Sequence, residues 1–117
     1  MREEQRELAR RRLDKELKYY RIAARKENPT QALLREVRQA LGVRVEEIAK
    51  EMQVSRSVVF RLEASEKRGR IALSSMARLA GAMGCRVVYA VIPQGGETLE
   101  EMADRRKWSK ILEVDGE

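Results

Sequence analysis

The stretch Leu41-Gly-Val-Arg-Val-Glu-Glu-Ile-Ala-Lys-Glu-Met-Gln-Val-Ser-Arg-Ser-Val-Val-Phe-Arg-Leu-Glu63 has the apolar spacing of two short helices joined by a tight turn. Ile48, Ala49 and Met52 form one inward stripe, and Val58, Val59 and Leu62 form a second. Val54 anchors the turn. Ser55 stands where its side chain would accept a hydrogen bond from the free amides of the next helix. Arg56, Ser57, Phe60, Arg61 and Ala64 are left on the opposite face, and the small Ala49 lets the second helix cross closely over the first.

This is the sequence logic of a helix-turn-helix, whose second helix lies in a DNA major groove. The flanks extend it. Gln31 to Leu41 carries Leu33, Leu34, Val37 and Leu41 as the apolar side of a preceding helix, and Gly42 is a left-handed stop. A basic loop, Lys67-Arg-Gly-Arg70, follows. Residues 73–83 predict a further helix with Met76, Leu79, Ala80 and Met83 inward and Gly84 as its stop.

Charge fits this reading. The 117 residues carry a net charge of +6, and 25 Lys and Arg face 19 Asp and Glu. The excess is uneven: residues 1–30 hold ten basic and six acidic side chains, whereas residues 97–117 hold four and seven. A basic balance suits a polyanion partner, although charge alone also serves solubility. Aromatic residues make up 4% of the chain, too few for a platform that stacks single-stranded bases.

Chemistry is sparse. There is no His, hence no imidazole base or His metal ligand, and no cofactor or metal site is expected. Cys85 is the single cysteine, so no intramolecular disulfide forms; beside an apolar run it reads as a buried, inert thiol. No Gly-rich loop has phosphate-binding spacing, and catalysis is not expected. No apolar run is long enough for a membrane span or a secretory leader, so the expected location is the cytoplasm.

Residues 4–27 form a highly charged segment with Leu13, Leu17, Tyr20 and Ala24 at helical spacing. It suits a solvated helix laid on the domain, or an arm contacting DNA phosphates or a second protein. Asn28-Pro29 should end it, with Thr30 or Gln31 starting the next helix. After Gly84 the period changes. Cys85-Arg-Val-Val-Tyr-Ala-Val-Ile92 is β-rich and closed by Pro93. A lone strand cannot satisfy its own backbone groups, so pairing with the same strand of a second copy is expected, with Val87, Tyr89 and Val91 on one face and Val88, Ala90 and Ile92 on the other. Thr98 can cap a last helix from Leu99 to about Leu112, with Met102 and Trp108 as its apolar side.

Two resemblances follow from these residues. Val54-Ser-Arg-Ser-Val-Val-Phe-Arg-Leu-Glu63 resembles the recognition helix of lambda-repressor-like (Xre/Cro) domains. Over nearly the whole chain, Arg12-Leu-Asp and Tyr20-Arg in the arm, Arg38-Gln-Ala-Leu-Gly42, Ile71-Ala-Leu73, Cys85-Arg-Val-Val-Tyr-Ala90, Ile92-Pro93 and Leu99-Glu-Glu-Met102 are similar to the mobile mystery protein A family, usually encoded beside a Fic-domain protein. The pattern of the residues, together with the resemblance, implies a mainly α fold: a helix-turn-helix core with an N-terminal helix, one C-terminal β-strand paired across a dimer, and a final helix. It divides the chain into a charged arm (1–28), a DNA-binding domain (29–84) and a strand-plus-helix extension (85–117) for dimerisation or a partner.

The resemblance also implies roles. Base contacts would come from Arg56, Ser57, Phe60 and Arg61, and phosphate contacts from Arg44, Lys67, Arg68 and Arg70. Arg38 and Glu63 would form a structural ion pair; the dimer strand, expected from its unpaired backbone groups rather than from the resemblance, is carried by Val87, Val88, Tyr89 and Val91. The partners implied are double-stranded DNA, a second copy, and a Fic-domain protein; the role implied is autorepression of an operon encoding a Fic-type toxin, or neutralisation of that toxin by direct contact. Two positions depart from the class: Val45 stands where a phosphate-binding glutamine is common, and Gln53 stands at the turn glycine. Fic inhibitors carry Ser or Thr, three residues, Glu, then Gly or Asn; Ser109-Lys-Ile-Leu-Glu113 has the first part, but Val114 follows and the match reads as chance.

Overall fold

The computed structural model describes residues 1–24 and 32–115, and among them the chain forms seven helices: α1 (Glu3–Glu16), α2 (Lys18–Ala23), α3 (Leu33–Leu41), α4 (Val45–Met52), α5 (Arg56–Lys67), α6 (Leu73–Ala82) and α7 (Leu99–Asp115). They fall into two compact units, one made of Pro29–Val88 and the other of Met1–Asn28 with Tyr89–Glu117. The expected break at Asn28-Pro29 and the start at Thr30 or Gln31 lie outside the described residues.

In the Pro29–Val88 unit the inward stripes meet. Leu34 of α3, Val45, Ile48 and Ala49 of α4, Val59 of α5, and Leu79 and Ala80 of α6 form the buried core. Ile48, Val59 and Leu79 are fully enclosed, each stabilising the unit by roughly 1.5–3 kcal/mol through burial. Met52, Val54, Leu62 and Met76 close its rim. Two residues expected inside are not: Leu33 and Leu41, at the two ends of α3, are exposed, because a nine-residue helix turns only its middle, Leu34 to Arg38, onto the core.

The helix stops follow backbone chemistry. Gly42 ends α3 at φ 69°, with the Val43 amide donating to the Arg38 carbonyl at 3.0 Å. Gln53 ends α4 in the same left-handed conformation, φ 58° and ψ 46°, and the Val54 amide reaches back to the Ala49 carbonyl at 2.9 Å. A non-glycine residue there carries about 1 kcal/mol of strain. The turn keeps it because the reversal lets α5 cross α4 over Ala49. Gly84 closes the stretch after α6 at φ 78°.

The Met1–Asn28, Tyr89–Glu117 unit pairs α1 with α7. The joint is a helix cap supplied from far away in sequence. Asp14 accepts from the Leu99 amide at 2.7 Å and from the Glu100 amide at 3.2 Å. Thr98 caps as expected, its Oγ1 accepting from the Glu101 amide at 3.1 Å. Arg10 adds a fork onto Glu100 at 3.0 and 3.3 Å, and this bonding holds the guanidinium's pKa above its ordinary value. The single N-terminal helix expected over residues 4–27 is instead two helices that part at Leu17. Arg21 donates to the Asp14 carbonyl at 3.0 Å, the acceptor that a continuous helix offers to residue 18.

The expected β-strand is absent: no described residue is in a strand, and residues 85–93 have no regular secondary structure. The apolar, β-branched composition favours extension, but a strand needs a neighbour, and the described residues of one chain offer none. The expected two-face alternation fails as well. Val87 packs against the core, while Val88, Tyr89 and Val91 are exposed. Cys85 is likewise exposed rather than buried, since it follows Gly84 immediately out of the turn.

Candidate nucleic-acid interface

The outer face of α5 begins at its first residue. Arg56, Ser57, Phe60, Arg61 and Ala64 are all exposed, while Val59 and Glu63 on the other side are buried. The helix therefore presents two arginines, a hydroxyl and one aromatic ring on a single solvent-facing stripe. Ser55, expected to cap α5 through its side chain, does not: its hydroxyl lies 2.9 Å from the Ser57 hydroxyl. Its backbone carbonyl takes the first intrahelical bond instead, from the Val58 amide at 3.1 Å.

Behind this stripe α5 is fixed by an ion pair. Arg38 donates from Nε to Glu63 Oε2 at 2.7 Å and from Nη2 to Oε1 at 3.1 Å, and its Nη1 donates to the Val43 carbonyl at 3.3 Å. Both residues are buried, at 9% and 5% exposure. The carboxylate holds the guanidinium pKa above its ordinary value, against the opposing effect of burial. A fork-on-fork pair of this kind fixes orientation as well as distance, so the angle of α5 on α3 is set by two parallel bonds. A further tie comes from Glu66, whose Oε1 accepts from the Leu34 amide at 2.9 Å in the first turn of α3.

The basic residues expected on phosphates are all exposed. Arg44 precedes α4, with its Nε 3.3 Å from Glu47 Oε1. Lys67 ends α5, Arg68 is its cap, and Arg70 follows Gly69, whose φ of 71° turns the loop. Val45 is core, 5% exposed, so the glutamine-like contact on phosphate has no counterpart at that position. The Pro29–Val88 unit carries eleven basic and six acidic side chains. Most of the excess charge of the chain therefore lies in the unit that holds the helix-turn-helix.

One acidic residue was not anticipated. Glu46 Oε1 lies 3.1 Å from Arg56 Nε, and the Arg56 guanidinium carbon lies 5.9 Å from the centre of the Phe60 ring. The signal was available only through geometry, because positions 46 and 56 are ten residues apart and become neighbours when the turn folds α5 across the start of α4. No group of three or more Cys, Asp or Glu that could hold a metal occurs among the described residues, and no described helix is long and apolar enough to cross a membrane.

Residues 34–89 match the helix-turn-helix family model, of the lambda-repressor-like type. The match spans α3 to α6 and the first residues of the irregular segment after α6, and it supports a DNA-binding transcription regulator. No curated protein and no solved structure matches the chain.

Proposed function

We propose that this protein is a sequence-specific transcription regulator that binds its operator as a homodimer and represses its own operon. The observation that carries the reading is the exposed stripe Arg56, Ser57, Phe60 and Arg61 on a helix braced by the buried Arg38–Glu63 pair. Arg56, Ser57 and Arg61 supply base contacts, and Phe60 packs on a thymine methyl or a sugar. Arg44, Lys67, Arg68 and Arg70 supply phosphate contacts that set register without reading sequence. Two copies would place their recognition helices in successive major grooves about 34 Å apart.

The segment from Cys85 to Ile92 supports the dimer. Val88, Tyr89 and Val91 are 60%, 72% and 81% exposed, and among the described residues no backbone hydrogen bond reaches the amides of residues 86–92. An apolar segment with open amides and carbonyls can pair with its own copy across a two-fold axis. Beside it, an apolar groove of about 330 Å³ lined by Leu33, Val37, Met76, Met83, Val87 and Val88 offers room for side chains of the second copy.

The test is an anisotropy titration of the full chain on DNA from upstream of its own coding sequence and on random duplex, over a salt series. Four phosphate contacts on each of two subunits give a slope of roughly −7 in log K against log salt. A slope near zero removes nucleic acid from the function. In the same assay Arg61→Ala is expected to weaken operator binding by about 1–3 kcal/mol and relax one position of the site, as loss of a guanine contact does. Equal loss on operator and random duplex makes Arg61 a phosphate contact.

The operon proposed is one that encodes a Fic-domain protein, on the strength of the mobile mystery protein A resemblance. A second reading, direct neutralisation of that protein, is favoured by Trp108, Ile111 and Leu112, which stand exposed at helical spacing on α7. Co-purification of the Fic-domain protein with the wild type, lost in Trp108→Ala, supports it; free separation of the two proteins removes it.

A further inference from the structure

We propose that Glu46 is a specificity-determining residue, holding Arg56 so that its outer edge reads guanine and penalising duplexes that lack that guanine. The proposal rests on the DNA-reading role of α5. Arg56 is the first residue of that helix, where a cation is opposed by the positive end of the helix dipole. Left alone, a 62% exposed arginine samples many rotamers and pairs with whatever phosphate is nearest.

Two contacts restrain it. Glu46 meets the Nε edge at 3.1 Å, and the Phe60 ring lies beneath the guanidinium at 5.9 Å. Among the described residues Nη1 and Nη2 make no hydrogen bond, so that edge is free. A guanine presents O6 and N7 side by side, the pair of acceptors that a guanidinium edge matches. Orientation before contact lowers the ordering cost of that one interaction and leaves other interactions unchanged.

The carboxylate acts a second way. Glu46 lies in the first turn of α4, 51% exposed, beside the phosphate-directed Arg44. A carboxylate near a phosphate row is repelled on every duplex. That repulsion is equal on operator and random duplex and cancels in their ratio; what differs is that Arg56, held on Glu46 at 3.1 Å, is kept from the phosphates it would otherwise pair with where guanine is missing. The acidic residue thus lowers affinity for random DNA more than for the operator, which is the difference that specificity consists of.

The experiment measures the ratio of operator to random-duplex affinity in the wild type, Glu46→Gln, Arg56→Met and the double variant. Glu46→Gln is expected to bind random duplex more tightly and to reduce the ratio about tenfold or more, the size of one base contact. In the Arg56→Met background the same change should leave the ratio as it was. A ratio that survives Glu46→Gln overturns the proposal, and so does an equal fall with Arg56 absent, since Glu46 would then act without it. A wild type that prefers no sequence at all overturns the DNA-reading role itself, a separate failure. Far-UV circular dichroism melts confirm that each variant is folded, as expected for exposed positions.

Discussion

Arg38→Met is expected to destabilise the helix-turn-helix unit by about 3–5 kcal/mol, and Glu63→Met by a similar amount, whereas the double variant should lose less than either. A small unit of this size has a total stability of only a few kcal/mol. Each single change is therefore expected to leave it largely unfolded at working temperature. The reason is burial. At 9% and 5% exposure neither charge has water to turn to, and each satisfies the other through two bonds of 2.7 and 3.1 Å. Removing Glu63 strands a guanidinium that cannot lose its proton at accessible pH and whose remaining acceptor is the Val43 carbonyl at 3.3 Å. Removing Arg38 strands a carboxylate beneath α5. Removing both leaves an apolar pair of comparable volume, which relieves the penalty but gives up the angular fix. The double variant is accordingly expected to fold yet bind operator less tightly than the wild type. Thermal and urea melts of the four proteins by circular dichroism test this. Losses that simply add across the cycle would show that the two residues are not coupled.

Much of this fold could be read from the sequence, and the failures have physical causes. The turn was legible because its signals are local: Ala49, Gln53 and Val54 act within six residues, and Gly42 and Gly84 stop helices by their own backbone freedom. The inward stripes of α4, α5 and α6 were legible because most apolar residues at the right period had a neighbour to face; Val58, on the flank of the α5 stripe, is only half-buried and outside the core. Leu33 and Leu41 were misplaced because periodicity gives a face without saying how far along a helix the neighbour extends. Asp14 was invisible as a cap because its acceptors meet amides 85 and 86 residues away. The break at Leu17 goes with the Arg21 side chain taking the Asp14 carbonyl, a choice of partner that apolar periodicity does not encode. Val45 was read as a departure from the phosphate-binding pattern; its burial supplies a structural reason for an apolar residue there. Glu46 was missed because a charge on a helix looks like solvation until the fold brings Arg56 beside it.

Val88→Pro is expected to convert the proposed dimer into a folded monomer and to reduce operator affinity by roughly 10²–10⁴-fold. Within one chain Val88 is 60% exposed, and its amide has no hydrogen-bond partner among the described residues, so proline there removes nothing the monomer uses. In the proposed seam the same substitution removes a ladder donor at the centre of a short antiparallel pairing. The effect on DNA follows from connectivity. When two helix-turn-helix units are joined, the second half-site is met at an effective concentration set by the first, far above the free protein concentration. When the joint fails, each unit binds on its own contacts alone, and the salt slope should fall to about half because half the phosphates are engaged. Sedimentation velocity of wild type and variant at micromolar concentration, paired with operator titrations, tests both parts. A wild-type monomer, or an undiminished dimer in Val88→Pro, would place the seam elsewhere, with Leu13, Leu17 and Tyr20 on the N-terminal helices as the next surface to examine. A monomeric variant that still binds operator at full affinity would mean that one recognition helix suffices, and that the two-fold geometry proposed for the operator is wrong.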